Sequence, residues 1–151
     1  MNKGDLAEKL FKEGYNCSQA VLGAFCEELG IDEEKAFMLS SSFGGGMGSL
    51  REVCGAVCGM FMVAGLASGY SDPADNDAKK RHYALIQEMA KLFSERNGGS
   101  SIVCREVLGL SKPEGDPTPT KRTNEFYQKR PCGELVREAA NIAQEILFEN
   151  K

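Results

Sequence analysis

A chain of 151 residues with 42% hydrophobic side chains is long enough for one globular core and shows no composition shift asking for a second domain within 1–151. Its formal charge of -4, and a longest basic run of only Lys79-Lys80-Arg81, argue against the clustered positive surface by which nucleic-acid binders neutralise phosphates. The start, MNKGDLAEKLFKEG, lacks the apolar region of a secretory signal, and the uncharged run from Val53 to Ala67 falls short of the roughly 20 residues of a membrane-spanning helix. The expectation is a cytoplasmic protein with no membrane insertion.

Helical periodicity runs through nearly every segment. Leu6, Leu10 and Phe11 fit a first helix. Cys17, Val21 and Phe25 share one face of a second, which carries Cys26 beside Leu22 and Leu29 and ends at Gly30. Asp32 is placed to cap a third helix over Glu33 to Ser40, because its carboxylate can accept bonds from the amides of the first turn. Gly44-Gly45-Gly46-Met47-Gly48 then leads into the most apolar segment, read as a buried central helix. After SGYSDPADND, an amphipathic helix spans about 74–96 with His82, Ile86, Met89 and Phe93 in one stripe, and Asn97-Gly98-Gly99 stops it. A shorter helix follows over about 102–108. The segment SKPEGDPTPT, with three of the five prolines, is a loop. The last helix starts near Cys132 and runs to about Phe148, with Leu135, Ala139, Ile142 and Ile146 on its inner face. The predicted fold is all-α, a compact multi-helix bundle around a central Gly/Cys-rich helix.

Six cysteines in a reducing compartment point to metal ligation, catalysis or packing rather than structural disulfides. Cys17, Cys54 and Cys132 each fall in the first turn of a predicted helix, and Cys104 sits early in its own after Ser100 and Ser101. Helix-start amides would lower a thiol pKa from about 8.5 toward 7. Arg51, Arg105 and Arg137 lie nearby in sequence and could add to this. Cys54 and Cys132 are therefore expected to react faster than Cys26, which reads as core. Cys58 shares a helix face with Cys54, and the two could hold one metal, although a direct disulfide at about 6 Å between Cα atoms would be strained. Cys58 and the lone His82 are secondary candidates, with plain packing as the competing reading. The glycines complete neither a Walker loop nor a dinucleotide pattern, since Ser49 stands where the last glycine of the latter should be, so they read as a tight turn between helices.

Cys17, the run Cys54-Gly55-Ala56-Val57-Cys58-Gly59, Cys104 and Cys132 together resemble the C_GCAxxG_C_C family of putative redox-active proteins, over nearly the whole chain. This chain has Cys-Gly-Ala where the family label has Gly-Cys-Ala. The resemblance maps four hallmark cysteines to Cys17, Cys54, Cys104 and Cys132 and leaves Cys26 and Cys58 outside. It implies a redox or cofactor-binding role. The expectation is that the four converge on one site of a thiol oxidoreductase acting on a redox partner or a small-molecule substrate. The same four could instead hold zinc or an iron-sulfur cluster, and a structural or partner-binding bundle with inert cysteines is the third reading. Four thiols act together only if their helix starts meet.

Overall fold

Asn2 accepts a hydrogen bond from the Asp5 amide and so starts the first helix, α1 (Lys3–Lys12). The computed structural model of the chain describes residues 2–98, 101–107 and 131–149. Asn16 and Gln19 form a reciprocal capping box at the head of α2 (Cys17–Gly23). A short α3 (Cys26–Leu29) follows and ends at Gly30, whose φ of 64° is the left-handed C-terminal cap. The one helix expected over 17–29 is thus two. At Phe25 the backbone leaves the helical region (φ -110°, ψ 9°) while its side chain is fully buried. Asp32 caps α4 (Glu33–Ser40) by accepting from the Lys35 amide, as the sequence indicates.

The central helix is α5 (Gly55–Ser68), followed by α6 (Asn76–Arg96), α7 (Cys104–Val107) and α8 (Cys132–Ala143), which passes into a π-helical turn over Gln144–Glu149. The proline-rich loop 111–120, Gly99 and Leu108 lie outside the described residues. Among the described residues there is no strand, only one antiparallel bridge between Val53 and Val103. No helix among them is long and apolar enough to cross a membrane.

The architecture is all-α and compact. α1 packs along α8, α2 along α5, and α8 also meets α2 and α5. Phe11, Val21, Leu22, Met60, Val63, Val136 and Ile142 are all buried where these four helices meet. Arg137 of α8 ties that helix to α1 through Asp5 and, at 2.9 Å, Glu8. Helix α4 lies on α2, and Phe37 stacks on Tyr15 with ring centroids 4.1 Å apart. On α6, Met89 and Phe93 are buried, whereas His82 and Ile86 from the same stripe are only half-buried. Ile86 still packs against the core, so the stripe is most deeply buried along its second half.

Candidate functional site

Between the 3-10 turn Ser41–Phe43 and Cys54, the backbone changes hand. Five consecutive residues have positive φ: Gly45 (66°), Gly46 (71°), Met47 (71°), Gly48 (63°) and Ser49 (68°). The Gly48 amide donates to the Gly44 carbonyl at 2.9 Å, as in one turn of left-handed helix. Arg51 adopts the same region at φ 60°. The amides of Arg51 and Glu52 reach back to the carbonyls of Gly45 and Gly46, at 3.2 and 2.9 Å, and fold the turn onto itself. Glycine adopts this hand readily. Met47, Ser49 and Arg51 each do so at a cost of about 1–2 kcal/mol. The predicted turn is present, but half of its strain falls on residues that carry side chains.

All four motif cysteines stand at helix starts: Cys17, Cys104 and Cys132 open α2, α7 and α8, and Cys54 is the residue just before α5. Three contacts bring those starts together. The first is a short antiparallel pairing around Val53 and Val103, in which the Cys54 amide donates to the Ile102 carbonyl at 2.7 Å and the Cys104 amide to the Glu52 carbonyl. Side chains alternate along an extended backbone, so Cys54 and Cys104 face the same side as diagonal neighbours. The second is the close approach of Gly55 to α2, where an added Cβ would stand 3.1 Å from the Cys17 Cβ. The third is the approach of the Cys17 and Cys132 side chains, close enough for Cys132 to act directly on the ionisation of Cys17.

The electrostatics report the same convergence. Ionisation of Cys17 is held well above the ordinary thiol range, first by its direct interaction with Cys132, then by burial, then by repulsion from Cys132, Cys54 and Cys104. Burial pushes Cys54 up to about 12, although the Val57 and Ala56 backbone amides at the start of α5 pull the other way. The thiolate expectation is therefore overturned at Cys17 and Cys54. The helix-start amides are in place at Cys54, but loss of water outweighs them. The burial of Cys54 and Cys26 is also the opposite of that expected for a reactive and a core thiol. Cys54 is 5% exposed, whereas Cys26 is half-buried at the edge of the core, its thiol raised by burial and then by Glu33, Asp32 and Glu28.

Arg51 is the site residue that sequence reasoning undervalued. Its guanidinium is buried and donates to the Cys104 sulfur at 3.8 Å. An arginine near a helix start is ordinary in sequence, and a positive φ at arginine leaves no mark there. Arg105 instead pairs with Glu52 at 3.1 Å, and Arg137 serves the α1–α8 contact. Cys58 is buried against the Val53 carbonyl, 3.9 Å away, and burial pushes its thiol up to about 11. His82 stands on α6 with its ring edge toward Tyr70. Among the described residues, no three His, Cys, Asp or Glu side chains are grouped as ligands of one metal ion.

A family model described as Putative redox-active protein (C_GCAxxG_C_C) matches residues 15–146. The chain belongs to this family. The span matched to the C_GCAxxG_C_C model contains all four convergent cysteines as well as the left-handed turn and Arg51. No curated protein and no solved structure matches the chain.

Proposed function

We propose that this C_GCAxxG_C_C protein is a thiol/disulfide oxidoreductase whose exchanging pair is Cys17 and Cys132. The reading is supported by the meeting of the α2 and α8 starts, which brings the Cys17 and Cys132 side chains into direct interaction within range of Cys54 and Cys104. Both residues are half-buried, unlike Cys54 and Cys104, so they are the outer pair of the four. Repulsion and the direct interaction with Cys132 keep a proton on Cys17, which leaves the Cys132 sulfur to attack a disulfide of a partner protein or small molecule. The partner's S–S bond breaks, one partner sulfur leaves as thiolate, and a mixed disulfide forms. Cys17 then attacks the Cys132 sulfur, releases the second partner sulfur and gives up its proton to it. The partner disulfide gains two electrons, and the Cys17–Cys132 pair loses two. A cytoplasmic setting suits this cycle, because its reducing poise returns the pair to thiols.

The test is disulfide mapping. Reduced full-length protein treated with oxidised glutathione, trapped by alkylation and analysed by mass spectrometry should carry a Cys17–Cys132 disulfide that dithiothreitol reverses. Cys17→Ser and Cys132→Ser should each abolish it. Persistence of both residues as thiols at every oxidant level would overturn the reading. Stoichiometric iron with visible absorption, or zinc, in anaerobically purified protein would assign the four thiols to a metal centre instead.

A further inference from the structure

Behind the outer pair lie two thiols that this exchange does not use. Cys54 and Cys104 are 5% and 6% exposed, and they face the same side of the paired segments 51–54 and 102–105. Arg51, itself 7% exposed, donates to the Cys104 sulfur. A guanidinium does not lose its charge, so where it is buried beside a sulfur its field favours the thiolate form of that sulfur. The chain holds it there through a left-handed backbone conformation that strains an L-residue. Gly46 clears the space, since a Cβ on it would meet Cys104, Arg51 and Glu52 all within 3 Å. Strain, burial and a fixed charge thus coincide at one sulfur.

We infer that Cys54 and Cys104 form a second, internal redox pair that exchanges electrons with Cys17 and Cys132, with Arg51 as the positioning residue that stabilises Cys104 as the departing thiolate. The inference rests on the thiol-exchange reading of the outer pair. A diagonal pair across one antiparallel bridge has Cα atoms about 7–8 Å apart, just beyond disulfide geometry, so oxidation draws the two segments together by about 1–2 Å. Gly55 leaves Cys17 beside Cys54. Starting from the oxidised inner pair and an outer pair that shares one proton, Cys17 passes that proton to Cys132 and attacks the Cys54 sulfur. The Cys54–Cys104 bond breaks, and Cys104 leaves as a thiolate against Arg51. Cys132 then attacks the Cys17 sulfur, and Cys54 departs with the Cys132 proton. The products are a Cys17–Cys132 disulfide, a Cys54 thiol and a Cys104 thiolate, so two electrons have moved inward. A thiolate stabilised by a cation is the better leaving group.

Full-length protein equilibrated in a graded series of reduced and oxidised glutathione, trapped by alkylation and mapped by mass spectrometry, should show two separate two-electron transitions. The Cys17–Cys132 disulfide forms first and the Cys54–Cys104 disulfide at a more oxidising poise. One equivalent of dithiothreitol added to fully oxidised protein should leave the outer disulfide and the inner thiols. Arg51→Met should favour the inner disulfide at least tenfold, a drop of about 30 mV for a two-electron couple. Arg51→Lys should keep most of the wild-type value, and neither substitution should move the outer transition. Should Arg51→Met fail to fold, Cys54→Ser and Cys104→Ser decide, each leaving one two-electron transition, at the outer pair. If the outer disulfide forms while Cys54 and Cys104 stay thiols at every poise, or if Arg51→Met leaves the inner transition unmoved, the inference is overturned and the outer-pair function stands. If no Cys17–Cys132 disulfide forms, the functional reading itself has failed.

Discussion

Gly46 lies so close to Cys104 that a Cβ on it would stand 2.6 Å from the Cys104 Cβ and 2.7 Å from the Arg51 Cα. Hydrogen is the one side chain that lets the left-handed turn rest on the start of α7. The same contact fixes where Cys104 and Arg51 sit relative to each other. Gly46→Ala should therefore add overpacking against backbone to the strain of φ 71°, a loss of about 2–5 kcal/mol in urea unfolding. Gly65→Ala on the outer side of α5, with nothing within 4 Å of an added Cβ, should instead gain about 0.5–1 kcal/mol. Equal effects at the two sites would contradict this account of the turn.

The fold should weaken in alkali through Cys54. Its thiol is raised from the ordinary 9.0 to about 12 in the folded chain, so the folded state keeps a proton that the unfolded chain loses first. The contribution is complete below pH 9 and declines as pH rises toward 12, by up to about 4 kcal/mol on the scale of 1.36 kcal/mol per pKa unit. Urea unfolding at pH 7, 9 and 10.5 should show a steeper decline for the wild type than for Cys54→Ala. Parallel declines would count against burial as the cause.

Asn16 links helix capping to the outer thiol pair. It accepts from the Gln19 amide at 2.9 Å, its own amide is accepted by the Gln19 side chain at 3.0 Å, and its Nδ2 donates to the Ser41 carbonyl at 3.1 Å. Asn16→Ala should cost about 1 kcal/mol. Because Cys17 is the next residue, the loosened turn should also speed its alkylation in native protein. Unchanged labelling of Cys17 would separate the cap from the site.

Arg137→Met tests the α1–α8 contact. The groups are partly exposed, so the expected loss is about 1 kcal/mol at low salt and less at 1 M, where charges are screened within about 3 Å. Arg137 also holds the Glu8 carboxyl below its ordinary value, chiefly by hydrogen bonding. That contribution is present above the ordinary carboxylate value of 4.5 and is lost as pH falls through the lower folded value. Wild type and variant should converge in stability under acid, and a difference that persists at pH 2 would show another origin.

Local rules with local causes could be read from the sequence. The Asp32 cap, the buried run after Cys54 and the helix starts at Cys17, Cys104 and Cys132 each depend on a few neighbouring residues, and each is found. The break at Phe25 could not be read, because the ring is drawn into the core against the preference of its own helix. Ionisation was misjudged for a related reason. The amides that favour a thiolate at Cys54 are visible in sequence, while the water excluded by α2, α5 and α8 is a property of the packed whole. Cys26 read as core from Leu22 and Leu29, yet it opens a separate four-residue helix and stays half-buried. Arg51 was hidden twice, by its positive φ and by a thiol partner 53 positions away.

The left-handed turn also makes residues 45–49 a mirror-image island between the right-handed helices α4 and α5. A conformation that strains L-residues is the one D-residues prefer, so the chirality penalty that ordinary mutagenesis meets here changes sign for the other enantiomer. In a semisynthetic chain, D-alanine at position 47 should raise the unfolding midpoint relative to L-alanine at the same position, whereas the same exchange inside α5 should lower it. Stereochemistry would then mark the segment that holds Arg51 against Cys104, independently of any assay of the thiols.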